Sequence, residues 1–336
     1  MKAKIALITG GYTDESEISF KSADFVFSKL DHSRYDVYKV VISVGDWYYL
    51  SSEGNRYPVD KNEFSVDLPG GGTLRFDLAF IMLHGSPGED GRLQGYLDMI
   101  GVPYTSCDAL TAALTMNKAY TKAVLQGIPD LHMAKSVHLF EVHRPHGVEL
   151  VQKALSLPYF VKPNAGGSSI GMSKVTDAAA LPVALDLAFD AANTGRQVIV
   201  EEFVKGREFS VGVFRRKDGN LYVLPASEVI TSRDFFDYIA KYTPGLTQEV
   251  TPADITAEQR QRVERLVQEI YTRLNCKGMV RVDFFLENGS DHFYFIEINT
   301  VPGQTAQSFI PQQVRAAGMT ETEFYSELIE VALINN

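Results

Sequence analysis

Residues 279–313, MVRVDFFLENGSDHFYFIEINTVPGQTAQSFIPQQ, restrict this chain more than any other stretch. Two apolar runs flank the turn-rich Glu287-Asn288-Gly289-Ser290-Asp291, the pattern of a β-hairpin. Strand side chains alternate, so Arg281, Asp283 and Phe285 are expected on one face of the first strand, and Phe293, Phe295, Glu297 and Asn299 on one face of the second. A turn centred near Ser290 then sets Asp283 opposite Glu297. Two carboxylates about 5 Å apart repel by about 3 kcal/mol at an effective dielectric near 20. A positive group between them is required, either Arg281 or a divalent cation. With the Asn299 amide oxygen the two acids form a hard-oxygen set suited to magnesium shared with phosphates. The competing reading is an edge hairpin whose acids face water. Phe284, Phe285, Phe293, Tyr294 and Phe295 argue instead for covered strands. The following Thr300-Val301-Pro302-Gly303 offers a glycine N–H that can approach a ligand closely.

At 336 residues, 45% hydrophobic and 22% charged, the chain has room for two or three domains with their own cores. Acids outnumber bases 42 to 32, a net charge of −10 that disfavours a general nucleic-acid or anionic-membrane surface. Cys107 and Cys276 are too few for a disulfide framework and lack metal-ligand spacing. No run is long enough to span a bilayer or serve as a signal-peptide core, so the chain is read as soluble and cytoplasmic.

Residues 4–9 form a buried-type strand ending at Gly10-Gly11, and Asp14-Glu15-Ser16-Glu17 has capping-box spacing for a helix to about Leu30. The dinucleotide fingerprint is absent after Gly11. Glu15 falls in the first helical turn, where an anion is favoured; it either decorates the helix start or receives an amine. A second strand near 37–44 leads to a meander of short strands, and 77–83 is a buried strand running into His84 and a glycine-rich loop before a helix over 92–100. Ligands bind at such strand ends in open α/β sheets.

Residues 108–126 read as one helix, with Gly127 as its stop. A strand over 157–162 enters Pro163-Asn164-Ala165-Gly166-Gly167-Ser168-Ser169, a loop able to present N–H groups and hydroxyls to phosphate, with Lys162 adding charge. A flexible hairpin tip is the alternative. No Walker-type P-loop exists, so a different ATP architecture is needed. The strand end Glu201-Glu202-Phe203-Val204, with Glu208 beyond, can offer backbone groups to adenine and a carboxylate to ribose. The long polar segment of about 229–252, rich in aromatics, reads as a lid, and 256–274 and 321–333 as helices.

In order, these blocks resemble the D-alanine–D-alanine ligases of the ATP-grasp superfamily over nearly the whole chain. His84-Gly85-Ser86-Pro87-Gly88-Glu89-Asp90-Gly91-Arg92-Leu93-Gln94-Gly95 looks like the family's N-terminal signature. Lys162 through Met172, Lys241-Tyr242, Arg281-Val282-Asp283 and Glu297 through Gly303 resemble later blocks. The resemblance implies an α/β, three-domain ATP-grasp architecture with an N-terminal open parallel-sheet domain, divided at 1–116, 117–203 and 204–336. It implies ATP as co-substrate, with Lys118 and Lys162 on phosphates, Glu201, Glu202, Phe203 and Val204 framing adenine, and Glu208 on ribose. Two magnesium ions, or manganese, would be ligated by Asp283, Glu297 and Asn299.

The implied reaction phosphorylates one D-alanine carboxylate, and the amine of a second D-alanine then attacks the acyl phosphate. Glu15 would hold the first ammonium. Arg281 and the Gly303 N–H would stabilise the oxyanion, while Ser168 and Tyr242 link to Glu15 and close the lid. His84, Lys241, Ser308 and Phe309 would serve substrate binding. Phe309 departs from a common leucine, and Asn164-Ala165-Gly166 from a more polar run; both bear on second-substrate preference, where Tyr242 favours D-alanine over D-lactate. The resemblance also implies a homodimer. The alternatives are a D-lactate or D-serine ligase on the same scaffold and a nucleotide-binding module without turnover.

Overall fold

A computed structural model describes residues 2–167, 170–191, 196–231 and 247–334. The strand Ala3–Gly10 lies between Tyr35–Ile42 and Leu78–Ile81, parallel to both. Its segment Ile5–Ile8 is fully buried, as expected where helices or other layers cover both sheet faces. Four antiparallel strands, Trp47–Leu50, Arg56–Asp60, Ser65–Asp67 and Thr73–Arg75, extend the sheet beyond Tyr35–Ile42. The open sheet is therefore parallel at one side and antiparallel at the other, the meander supplying the added strands.

A four-stranded sheet follows in the order Ser173–Val175, Tyr159–Pro163, Gln197–Glu202 and Ser136–Phe140. The third sheet is built on Gly206–Arg215, Met279–Glu287 and Phe293–Asn299, all antiparallel. The short strand Leu131–His132 reaches it from far upstream and pairs in parallel with Phe293 and Tyr294. The helix Glu321–Ile334 returns to the first sheet, where Phe324, Tyr325, Leu328 and Ile329 join the core around Ile5–Leu83. Burying each such side chain contributes about 1.5–3 kcal/mol, so the chain's end closes the core that its beginning opens.

Two local expectations are corrected. The helix expected over 108–126 is two helices, Ala109–Met116 and Lys118–Leu125, broken at Asn117, whose φ of −94° and ψ of 102° are extended. The Asn117 side chain accepts from the Tyr120 N–H at 3.0 Å, so an Asn cap within the apolar pattern starts a second helix at Lys118. The capping box expected from Asp14 to Glu17 does not form: Glu15 itself is the N-cap of Ser16–Lys29 and makes no capping bond. Its carboxylate is turned toward a neighbouring loop.

Candidate active site

In the hairpin, Asp283 lies directly opposite Glu297, and Arg281 opposite Asn299. The alternation behind that expectation is broken in one place. The register slips between Asp283 and Phe284, where a β-bulge puts one extra residue, Ile296, on the second strand. Phe293 and Phe295, expected beside Glu297, instead point into the core with Phe284, while Glu297 and Asn299 turn the other way with Arg281 and Asp283. The bulge thus satisfies aromatic burial and acid presentation in one strand.

Each acid has a cation from the chain. Arg281 forks onto Asp283, Nε donating to Oδ1 at 2.9 Å and a terminal nitrogen to Oδ2 at 2.8 Å. Ser210 Oγ donates to the same Oδ1 at 2.6 Å, and Asn299 Nδ2 to Oδ2 at 3.3 Å. Burial works against the Arg281 charge, but Asp283, then Glu297 and Glu89, outweigh it and hold its pKa above the ordinary value. Glu297 faces Lys118 Nζ at 3.3 Å.

Lys118 opens the helix created by the Asn117 break. Its Nζ also donates to the Gly166 carbonyl at 2.8 Å, tying the glycine-rich loop to the hairpin. Asn164 locks that loop: its amide donates to Asn117 Oδ1 at 2.7 Å and Gln197 Oε1 at 3.0 Å, while its Oδ1 accepts from the Ala119 N–H at 2.9 Å. One turn beyond Lys118, Lys122 is almost fully buried and pairs with Glu201, whose other oxygen pairs with Lys162. Burial, followed by repulsion from Lys162 and Lys118, drives the Lys122 pKa well down. Three lysines gathered around two carboxylates make this cluster rich in N–H donors, which suits phosphate oxygens.

The Glu15 carboxylate reaches two glycines. A Cβ on Gly85 would lie 2.8 Å from its Oε2, and one on Gly167 would lie 2.8 Å from its Oε1, so a side chain at either position would push the carboxylate aside; at Gly85 the φ of +69° also favours glycine. Glu89 lies nearby, taking the Gly85 N–H at 2.7 Å and the Val301 N–H at 3.3 Å. Burial and the neighbouring Glu15 push its pKa up to about 8. His84 is buried, with Nδ1 2.8 Å from the Val301 carbonyl and Nε2 3.0 Å from Ser22 Oγ. Burial drives its pKa down to about 4, so the ring is neutral at pH 7. Both ring nitrogens therefore face protein partners.

Ser308 stands at the N-cap position of the helix Phe309–Ala316 without a side-chain capping bond, its hydroxyl taking the Thr305 N–H at 2.9 Å instead; a Cβ on Gly303 would come within 3.1 Å of that hydroxyl. The Arg281 guanidinium sits 5.5 Å from the Phe309 ring centroid. Glu201 and Glu202 end the strand Gln197–Glu202; Glu202 accepts from the Ser156 N–H at 3.1 Å. Phe203 packs against Phe160, with Lys174 Nζ 4.5 Å from its ring centroid, and Val204 is half-buried beside it. Glu208 lies on Gly206–Arg215, opposite Phe285. Ser168, Lys241, Tyr242 and most of the expected lid, 232–246, lie outside the described residues.

Sequence reasoning missed Lys122, Ser210, Glu89 as a buried acid, and Ser22. Only Lys122 carried a signal, its four-residue spacing from Lys118 once a helix begins there. The others are brought in by register and tertiary packing.

Among the described residues no three His, Cys, Asp or Glu side chains cluster as metal ligands. Two carboxylates and an amide do converge. Because Asn299 Nδ2 points to Asp283, its Oδ1 is the amide atom left for a cation. This all-oxygen donor chemistry fits magnesium.

Comparison with known proteins bears on the whole chain. Family models described as D-ala D-ala ligase N-terminus and D-ala D-ala ligase C-terminus match residues 4–107 and 126–330. The D-alanine–D-alanine ligase of Parabacteroides distasonis is 43% identical over 335 residues, covering 100% of this chain and 99% of that protein. The one from Azobacteroides pseudotrichonymphae is 40% identical, covering 97% and 98%. Among solved structures, VanG D-Ala:D-Ser ligase from Enterococcus faecalis superposes with a TM-score of 0.87 at 31% identity, covering 99% of this chain and all of the other. D-alanyl-alanine synthetase A from Vibrio cholerae gives 0.86 at 27% identity, covering 99% of both. With both family models matched in order and near-complete coverage of each relative, the chain belongs to the D-alanine–D-alanine ligase family and has its ATP-grasp fold.

Proposed function

We propose that this protein joins two D-alanines into D-alanyl-D-alanine at the expense of ATP, through an acyl phosphate, for peptidoglycan precursor synthesis. The observation that carries the reading is the set of charged groups gathered at the two glycine loops and the hairpin, Glu15 beside Gly85 and Gly167, Lys118 on the Gly166 carbonyl and Glu297, and Arg281 on Asp283, in a chain of this family. Anionic groups at Glu15, Glu297 and Asp283 lie with cationic ones at Lys118 and Arg281, as a zwitterionic amino acid beside a polyphosphate requires.

Glu15 receives the ammonium of the first D-alanine, with Ser168 and Tyr242 linked to it. The carboxylate oxygen of that D-alanine attacks the γ-phosphorus of ATP, and ADP leaves. Lys118 and Lys162 draw the phosphate charge and Glu201 to Val204 frame the adenine, with Glu208 on the ribose. Asp283, Glu297 and Asn299 would hold two magnesium ions, or manganese, which supply positive charge to the transferring phosphoryl group. The second D-alanine, held at its carboxylate by Lys241 and Ser308 beside Phe309, attacks with its neutral amine. Arg281 and the Gly303 N–H stabilise the resulting oxyanion, and collapse of the tetrahedral intermediate expels phosphate, which carries off the proton lost by the attacking amine. His84 supports the substrate loop. A homodimer and a cytoplasmic location complete the reading. No described helix is long and apolar enough to cross a membrane.

The test is ADP release with D-alanine and magnesium. Activity lost in Asp283→Asn supports the reading, whereas equal rates in both proteins would reject it. D-serine and D-lactate as second substrates form a further arm, with turnover highest for D-alanine.

A further inference from the structure

Ser22 lies on the buried face of the helix Ser16–Lys29, two turns from Glu15, and is fully buried. Its hydroxyl touches two partners: His84 Nε2 at 3.0 Å and the Gln304 backbone N–H at 3.2 Å. The other ring nitrogen of His84 meets the Val301 carbonyl at 2.8 Å. Directions follow from chemistry. A carbonyl can only accept, so Nδ1 of the neutral ring carries the hydrogen and Nε2 accepts from the Ser22 O–H. Ser22 Oγ in turn accepts from Gln304. The result is a closed circuit, Gln304 N–H to Ser22 to His84 and back to the Val301 carbonyl, whose ends bracket Pro302 and Gly303.

Among the described residues the bracket has other supports, one of them within it, Gln304 Nε2 donating to the Pro302 carbonyl at 3.2 Å. Glu89 holds the Val301 N–H, and Tyr325 donates to the Gln304 side chain at 2.8 Å. The same helix secures His84 a second time, Ser19 Oγ accepting from its backbone N–H at 2.9 Å. One rigid helix thus carries Glu15 at its start and grips the Gly303 loop one face further along. A donor aimed at a developing oxyanion acts only if held within a few tenths of an ångström of its target.

We propose that Ser22 is a positioning residue: through His84 it sets the Gly303 N–H in register with the ammonium site at Glu15. The proposal rests on the ligase reading for the meaning of those two sites, while the circuit itself has an independent readout. Ser22 touches no substrate, so its removal alters the rate of the chemical steps and leaves nucleotide binding alone.

The experiment compares wild type, Ser22→Ala and the near-isosteric Ser22→Cys, a weaker hydrogen-bond donor, in full-length protein. Expected are a fall in kcat of about tenfold to a hundredfold in Ser22→Ala, smaller than the roughly hundredfold or more for deleting an oxyanion donor outright, and an ATP KM within twofold of wild type. Ser22→Cys should fall between. Amide hydrogen exchange of residues 300–305 should quicken at least tenfold in Ser22→Ala. Unchanged kcat with unchanged exchange overturns the proposal, as does a loss expressed equally in ATP KM. If wild type makes no dipeptide, the ligase reading fails, and unchanged exchange would still overturn the circuit.

Discussion

Replacing Arg281 with lysine separates charge from geometry at the centre of the site. The arginine makes two short charge-assisted bonds to Asp283, at 2.9 and 2.8 Å, with its side chain 19% exposed and that of Asp283 8% exposed, so solvent screens them little. Lysine keeps the positive charge but can supply only one such bond from a single point. The lost bond contributes about 1.5–3 kcal/mol. Asp283 retains Ser210 at 2.6 Å and Asn299 at 3.3 Å, so the fold survives. If that energy is expressed in the transition state, kcat falls by about ten- to 150-fold, since ~1.4 kcal/mol is tenfold. Steady-state kinetics with coupled ADP detection, varying D-alanine at saturating ATP, measures it. A kcat within twofold of wild type, or a loss appearing equally as weaker ATP binding, would refute the placement of Arg281 at the reacting carboxylate.

Three further outcomes follow from particular contacts. Gly85 has φ +69°, and a Cβ there would press on Glu15 at 2.8 Å and Thr13 at 2.6 Å; Gly85→Ala should raise the D-alanine KM severalfold while ATP binding is retained, read by kinetics and calorimetry. Lys122→Met leaves Glu201 still paired with Lys162, so it should cost about 1–2 kcal/mol by urea unfolding, against about 3–5 kcal/mol when Lys162 is replaced as well and Glu201 is stranded. Glu89, with its pKa raised to about 8 by burial and by Glu15, stays protonated in the folded protein while the unfolded chain has ionised above about 4.5. Its contribution to stability therefore declines as pH rises from about 4.5 to 8. Glu89→Gln should flatten that decline, measured by urea unfolding at pH 5.5, 7 and 8.5.

Pairing of Asp283 with Glu297 was legible because both the strand period and the turn length can be read from residues alone. The bulge at Ile296 was not. An alternation that continues through Phe293, Phe295, Glu297 and Asn299 looks unbroken in sequence, and only the need to bury two phenylalanines while presenting two polar groups breaks it. Similarly, the helical pattern of 108–126 hides the Asn117 break, because asparagine is tolerated inside a helix as well as at its cap and the decision rests with Asn164 and Gln197 from elsewhere in the chain. The need for a cation between the acids was derivable, but its identity was not. The chain places Arg281 on one acid and Lys118 on the other, a division set by the Lys118–Leu125 helix. Ser22 and His84 show the same limit, since each also has a partner more than 200 residues away.

If the first D-alanine is activated as an acyl phosphate, isotope transfer reveals it. With D-alanine labelled with ¹⁸O in its carboxylate, ATP and magnesium, the attacking carboxylate oxygen must leave on phosphorus when the second amine displaces it. Mass spectrometry should find one ¹⁸O atom in each released phosphate, matched by one dipeptide. Phosphate released without label, or without dipeptide, would contradict it.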